Sequence, residues 1–180
     1  MNKLKSLSAV ILLAISVTAN AQTDKATTKR IVDDKNFVFV ATSAMPLNAT
    51  DISNVLNRMP GNMNTGGNIN LTGSSYDVRI TADSVVSYLP YYGRSFSAPI
   101  GRDESGFRFT SKKFSYASKA TKKGGWSITI NSKDVKDNVR MNLSITQSGY
   151  ATLNVMSNNK QSISYNGYIS EPKAKEESSK

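Results

Sequence analysis

The stretch RMNLSITQSGYATLNVMSNNKQSISYNGYI, residues 140–169, decides the fold class of this 180-residue chain. It holds three runs in which apolar and polar residues alternate, and the segments QSG and SNNK separate them. Strict alternation is typical of a strand with one buried face, and short links of this composition are typical of tight turns. We therefore predict three consecutive antiparallel strands, a β-meander. Its apolar positions are Met141, Leu143, Ile145, Leu153, Val155, Ile163, Tyr165 and Ile169.

Further runs of the same kind lie upstream of this meander. They are NINLTG, SYDVRIT, SVVSYLP, FRFTSKKFSYAS and KKGGWSITIN, separated by turn signals such as Gly-Ser, Ala-Asp and Gly-Gly. Residues 36–45, NFVFVATSAM, are apolar on both alternating faces, as in a strand covered on both sides. The pattern predicts a mainly β fold, a single antiparallel β-barrel or β-sandwich of about eight or nine strands. Alternation leaves these two forms open, and a lipocalin-like barrel is one of them.

The first 21 residues have the three-part layout of a secretory signal peptide. Lys3 and Lys5 form a basic start, an apolar run extends over residues 9–17, and Ala19-Asn20-Ala21 is a small-x-small cleavage site. The apolar run is too short to span a bilayer as a helix. We expect cleavage before Gln22, a periplasmic or secreted protein, and no transmembrane segment in the mature chain.

The rest of the chain predicts one domain over residues 22–170, long enough for one hydrophobic core and too short for two. Residues 23–34 are expected to form a short N-terminal helix. Residues 46–68 read as a long loop, in which a short helix could begin after Asp51. The charged residues 171–180 lack apolar side chains and are predicted to be disordered.

The composition excludes several kinds of chemistry. The chain has no cysteine and no histidine, so disulfides, thiol nucleophiles, Ser-His-Asp hydrolysis and ordinary zinc sites are ruled out. Its carboxylates are adjacent in sequence or lie in turn-like segments, without the spacing of a glycosidase pair. The sequence contains neither a G-x-S-x-G elbow nor a phosphate-binding loop. We therefore expect a protein that is not an enzyme and that uses no cofactor and no metal.

The charge balance is strongly basic, with 23 Lys and Arg against 13 Asp and Glu and a net charge of +10. Removal of Lys3 and Lys5 would leave 21 basic residues and a net charge of +8. A basic exported protein can meet an acidic envelope protein, an anionic glycan or lipid head groups, although the charge also simply supports solubility. The lysines are scattered, so nucleic acid is not an expected partner. We expect a monomer.

Residues 83–99, DSVVSYLPYYGRSFSAP, gather aromatic residues where a strand meets a long hairpin connection. Pro90 lacks an N–H and should end the strand. The cluster can form an aromatic rim that stacks on a sugar, an amphipathic ligand or a partner surface. The favoured alternative is packing, with Tyr88 and Phe96 in the core, Tyr91 and Tyr92 over the sheet edge, and Arg94 stacked on a ring. The candidate binding residues are Tyr88, Tyr91, Tyr92, Arg94, Phe96 and Arg102.

Four segments carry a resemblance to a known family. They are SYLPYYGRSFSAP, GFRFTSKKFSY, KKGGWSITI and GYATLNVMSNNKQSISYNGYI, and YLPYYGR and ISYNGYI are their most specific parts. Over residues 30–170 the chain resembles a family of exported Bacteroidetes proteins that is defined only by a domain of unknown function. The segment 46–68 departs from it, since it is longer than the family's usual link. The resemblance implies an exported, mainly β domain and supplies no catalytic residues.

Two function hypotheses follow. The first is a periplasmic binding module that contacts an envelope protein, a glycan or an anionic surface through the aromatic and arginine residues of the rim. The alternative is a lipocalin-like carrier that encloses a small apolar or amphipathic ligand. In addition, Asp83-Ser84-Val85 fits the short pattern of bacterial O-glycosylation, which makes Ser84 a candidate modification site.

Overall fold

A computed structural model describes residues 23–47, 64–65, 67–96 and 106–172 of the chain. One helix, α1 (Lys25–Asp33), precedes the strands. The strands are β1 (Phe37–Pro46), β2 (Asn64–Thr65), β3 (Asn68–Asn70), β4 (Asp77–Ile80), β5 (Val85–Leu89), β6 (Phe107–Ser111), β7 (Phe114–Ala120), β8 (Trp126–Ser132), β9 (Arg140–Ile145), β10 (Tyr150–Met156) and β11 (Ile163–Ser170).

All of these strands belong to one antiparallel sheet that is nearly closed into a barrel. Nine strands follow one another in the order β6-β5-β4-β1-β11-β10-β9-β8-β7, and β3 pairs with both β1 and β2. The first and last long strands in the chain meet at the centre of this order, with Phe39 opposite Ile169. The barrel form is therefore the one adopted, and the predicted strand number agrees with this nine-strand path.

β6 and β7 occupy the two ends of the sheet, although only Lys112 and Lys113 separate them in sequence. They do not pair with each other as a hairpin. The carboxylate of Asp134 holds this corner, because it accepts the N–H groups of Lys112 at 2.8 Å and Lys113 at 3.0 Å and the Ser111 hydroxyl at 2.5 Å. The two ends of the sheet are thus joined at one point.

The interior of the barrel is filled with large apolar side chains. Tyr165, Phe37 and Phe39 are the largest of the fully buried ones. The alternation predicted for the meander is confirmed, since its apolar positions are buried and the polar residues between them are exposed or half-buried. Burial of apolar surface on this scale is the main stabilising term of such a fold.

The helix α1 lies against the barrel and confirms the prediction for residues 23–34. Asp24 caps it by accepting the N–H groups of Ala26 and Thr27. Its Ile31 and Val32 side chains are buried in the core. At the helix start, the Thr23 hydroxyl donates to the carbonyl of Ile169 at the end of β11.

The segment predicted as a loop over residues 46–68 is shorter at both ends in the structure. β1 extends to Pro46, and a small hairpin of β2 and β3 begins at Asn64. The short helix expected after Asp51 lies outside the described residues, as do the predicted signal peptide and most of the predicted tail.

Candidate binding surface

The face on which each residue of β5 lies follows the predicted alternation. Val85, Ser87 and Leu89 are buried inside the barrel, whereas Val86 and Tyr88 lie on the outer face. Tyr88 is 41% exposed. It is therefore the residue of the predicted rim that a strand positions directly on the surface.

Tyr88 is held between groups from the two neighbouring strands. Its ring stacks on that of Tyr76, just before β4, with centroids 5.7 Å apart and an interplanar angle of 25°. The guanidinium carbon of Arg108, which lies directly opposite Tyr88 on β6, is 4.5 Å from the ring centroid. We call these three residues the tyrosine–arginine stack. Such contacts fix the orientation of the exposed ring.

Tyr91 is a packing residue in this structure. Its hydroxyl donates to the carbonyl of Arg94 at 2.7 Å and to that of Gln161 at 3.1 Å. Its ring meets Phe107 edge-on, with centroids 5.5 Å apart. Burial raises the pKa of the Tyr91 hydroxyl. The side chain thus ties the segment after β5 to the loop before β11.

Tyr92 is half-buried against the core, close to other tyrosines. Burial raises the pKa of its hydroxyl, and the neighbouring Tyr76 adds to the shift. Below this segment, the fully buried Tyr165 donates its hydroxyl to the carbonyl of Pro90 at 2.5 Å. The chain that follows β5 is therefore anchored from inside the barrel.

Arg94 and Phe96 lie on an exposed segment that is bonded through its main chain. The Arg94 carbonyl accepts the N–H of Gln161 at 3.1 Å, and the Phe96 N–H donates to the carbonyl of Asn159 at 2.8 Å. The Phe96 side chain is 70% exposed. Arg102 lies outside the described residues. The predicted rim therefore divides into two exposed aromatic residues, Tyr88 and Phe96, and two half-buried ones, so the packing alternative was wrong in placing Tyr88 and Phe96 in the core.

Sequence reasoning missed three residues of this region. Tyr76 and Arg108 complete the stack, and Lys160 lies under Tyr91, with its ammonium 5.3 Å from that ring and 4.9 Å from Phe107. Lys160 also donates to the carbonyl of Gly106 at 2.8 Å. The pairing of Tyr88 with Arg108 could have been found only with the register of the β5–β6 hairpin, which its long connection does not fix.

Ser84, the candidate modification site, closes the turn between β4 and β5. Its hydroxyl oxygen lies 2.8 Å from that of Thr81, and its N–H donates to the same Thr81 oxygen at 3.0 Å. The Thr81 N–H donates in turn to the Ser84 carbonyl at 2.9 Å. The side chain is half-buried in this bonded turn.

The described part of the chain also contains two open grooves on other parts of the surface. One, of about 430 Å³, is lined by Trp126, Tyr150, Asn166 and neighbouring residues of the meander. The other, of about 440 Å³, lies near Lys133 and Arg140.

Among the residues that the structure describes, no three acidic side chains are grouped so that they could hold a metal ion. The helix in this part of the chain is not long and apolar enough to cross a membrane.

Comparison with known proteins identifies the family. The model of DUF4251, a domain of unknown function, matches residues 19–169. The chain belongs to the DUF4251 family. A crystal structure of a DUF4251 family protein from Bacteroides eggerthii is similar to this DUF4251 chain, with a TM-score of 0.54 at 13% identity. The similarity covers 82% of this chain and 87% of that one. At this identity the likeness shows the fold alone, and none of the curated proteins matches the chain.

The resemblance to a family of unknown function is thus confirmed at the level of the family. Neither comparison assigns a ligand, a partner or a reaction to DUF4251. Chemically, the region around β5 offers exposed aromatic surface and a guanidinium group. These groups suit non-covalent recognition.

Proposed function

We propose that this DUF4251 chain is an exported binding module without catalytic activity, and that it contacts a partner protein of the cell envelope through the tyrosine–arginine stack. The observation that carries the proposal is the exposed ring of Tyr88, fixed between Tyr76 and Arg108 on the outer face of the sheet. Tyrosine and arginine are enriched among the residues that dominate binding energy at protein interfaces. A ring that is already ordered loses little conformational entropy on binding.

In this proposal, some residues of the predicted rim contact the partner and others only support the loop. Tyr88 and Phe96 offer exposed aromatic surface to a partner. Tyr91 and Tyr92 support the loop from below, and a partner would not need to touch them. The absence of histidine and cysteine from the sequence supports a role without catalysis.

The test compares variants in capture from the envelope fraction of the source bacterium. The mature wild-type protein, the double variant Tyr88→Ala/Arg108→Ala and the control Tyr150→Ala are each immobilised, and bound proteins are quantified by mass spectrometry. Tyr150 is also an outward tyrosine, 50% exposed on β10, so its loss controls for non-specific adhesion. We expect one protein to be retained by the wild type and the control and reduced about tenfold or more by the double variant. Retention that does not depend on the stack would contradict the proposal.

The carrier alternative receives no support from the barrel interior. The inward positions of the described strands are occupied by Phe37, Phe39, Tyr165 and other buried side chains. A carrier needs an internal cavity of about 300 Å³ or more for its ligand. Native mass spectrometry of protein from its own periplasm tests this, since a bound species of a few hundred daltons would favour the carrier.

Export and modification are part of the same proposal. If the signal peptide is cleaved before Gln22, the intact mass of the periplasmic protein corresponds to residues 22–180. An additional mass of a sugar, absent in Ser84→Ala, would place a glycan on Ser84. An intact Met1 in the purified protein would contradict export by this route.

A further inference from the structure

We propose that the outer edge of β7 is a second binding site, which accepts an extended acidic segment of a partner protein as an added strand. The inference goes beyond the proposed function because it concerns a different surface, and either can fail without the other. It rests on the hydrogen-bonding pattern of β7, on its exposure and on the charge around it.

The first observation is that β7 is an edge strand. Its seven residues pair with β8, from Phe114 opposite Ser132 to Ala120 opposite Trp126. Among the residues that the structure describes, no strand pairs with its other side. The opposite end of the sheet differs, because β6 is shorter and is contacted at its two ends by Lys160 and Asp134.

The second observation is which main-chain groups of β7 face outward. Lys133 donates its N–H to the carbonyl of Lys113, and Thr121 donates to that of Gly125. In an antiparallel ladder the residues bonded to the partner alternate with residues bonded to the other side. The odd-numbered residues of β7 therefore bond to β8. The N–H and C=O groups of Phe114, Tyr116, Ser118 and Ala120 point to the open edge.

Exposure divides this edge into two halves. Near the start of β7, the Tyr116 side chain is half-buried, and the Lys35 ammonium lies 5.2 Å from its ring. From Ala117 to Ala120 every residue is exposed. The accessible part of the edge thus presents the N–H and C=O groups of Ser118 and Ala120, and an added strand could form four hydrogen bonds there.

The third observation is charge. Residues 106–133 contain six lysines, one arginine and no acidic residue. Lys119 lies within β7, and Lys122 and Lys123 follow in the turn to β8, all three exposed. The acidic groups that approach β7 already accept hydrogen bonds from other residues. Asp33 accepts from the ammonium of Lys29, and Asp134 accepts from the main-chain N–H of Lys112.

These charges decide between two occupants of the edge. A second copy of this chain would place the same lysines against each other, and like charges on paired strands are destabilising. Lysine on an edge strand is a common protection against such self-pairing. An acidic segment would be attracted instead, because its carboxylates would face lysines while its main chain bonds to Ser118 and Ala120. The partner chemistry is therefore an extended, acidic peptide.

The test uses two synthetic probes, the acidic peptide ETEVETE and its basic counterpart KTKVKTK, with the full mature protein. We expect the acidic peptide to bind, the basic peptide not to bind, and the affinity to fall about tenfold when salt rises from 50 to 500 mM. The decisive variant is Ser118→Pro, which removes an N–H from the open edge and leaves the ladder to β8 unchanged. The control Ser118→Ala keeps that N–H.

Ser118→Pro should weaken binding of the acidic peptide about tenfold or more, and Ser118→Ala should bind as the wild type does. Equal binding by both variants would mean simple attraction to the lysines and would overturn the proposal. So would a dimer of the wild type that Ser118→Pro dissociates, because the occupant would then be a second copy.

Amide hydrogen exchange of the wild type provides a readout that does not depend on a variant. In the free protein, the amides of Ser118 and Ala120 should exchange at least tenfold faster than those of Ala117 and Lys119, and the acidic peptide should slow them. Slow exchange at Ser118 in the free protein would show that the edge is already covered. That result would exclude the proposed site even if Ser118→Pro failed to fold.

Discussion

Truncation of Tyr91 distinguishes packing from binding in the aromatic region. We expect Tyr91→Ala to lower the free energy of unfolding of the isolated protein by about 3 kcal/mol. Loss of a fully buried aromatic ring costs about 3–5 kcal/mol. Tyr91 is half-buried against Phe107, so the ring accounts for about 2 kcal/mol of this cost. The hydroxyl that bonds to two main-chain carbonyls accounts for about 1 kcal/mol.

The assay is urea unfolding followed by tryptophan fluorescence and far-UV circular dichroism, with a parallel thermal scan. For a domain of this size, the expected loss lowers Tm by about 6–12 °C. Tyr91→Phe removes only the hydroxyl and should cost about 1 kcal/mol. Phe96→Ala is the matched control, because that side chain is 70% exposed and its removal should change stability by less than about 0.5 kcal/mol.

The comparison with Tyr88 completes the experiment. Tyr88→Ala removes an outer-face ring with one stacking and one cation–π contact, and we expect a loss of about 1 kcal/mol. If Tyr91→Ala costs less than Tyr88→Ala, the assignment of Tyr91 to packing and of Tyr88 to the surface is wrong.

Two further predictions concern the barrel itself. Hydrogen bonds from the Ser111 hydroxyl and two main-chain N–H groups lower the pKa of Asp134 from 3.8 to about 2 in the folded protein. The ionised carboxylate therefore stabilises the fold above about pH 4, and this contribution is lost as the pH falls toward 2. Asp134→Asn should therefore lower Tm at pH 5 and converge with the wild type near pH 2, and a Tm difference independent of pH would contradict this. A Cβ at Gly167 would overlap the carbonyl oxygen of Val40 in the paired strand. Gly167→Ala should therefore separate β1 from β11 locally and lower the free energy of unfolding, measured in urea, by about 3 kcal/mol or more. A loss below about 1 kcal/mol would mean that the two strands can move apart without cost.

Much of the local structure could be predicted from the sequence, because each feature depends on neighbouring residues. Alternation in the meander set both the strands and their buried faces, as Leu143 and Leu153 show. The faces of β5 followed from the same period of two. The helix after Asp24 followed from its cap and its short apolar stripe.

The candidate site could be predicted only in part. The alternation put Tyr88 and Leu89 on opposite faces of β5 but left open whether Tyr88 lies in the core or on the rim. It did not indicate Tyr76 and Arg108 as neighbours of Tyr88, because they lie in other parts of the chain. Tyr91 lies beyond the end of β5, where the period of two no longer applies. Its role is set by Phe107, Lys160 and Gln161, which are distant in sequence.

By itself, the sequence determined a mainly β domain with a short leading helix and a terminal meander. The tertiary structure decided that the sheet curves into a barrel, that β1 pairs with β11, and that β6 and β7 lie at its two ends. The physical reason is that the alternation of apolar and polar residues indicates which face of a strand is buried. It does not indicate which strand lies beside it. That choice depends on how strands distant in sequence satisfy their hydrogen bonds and fill one common core.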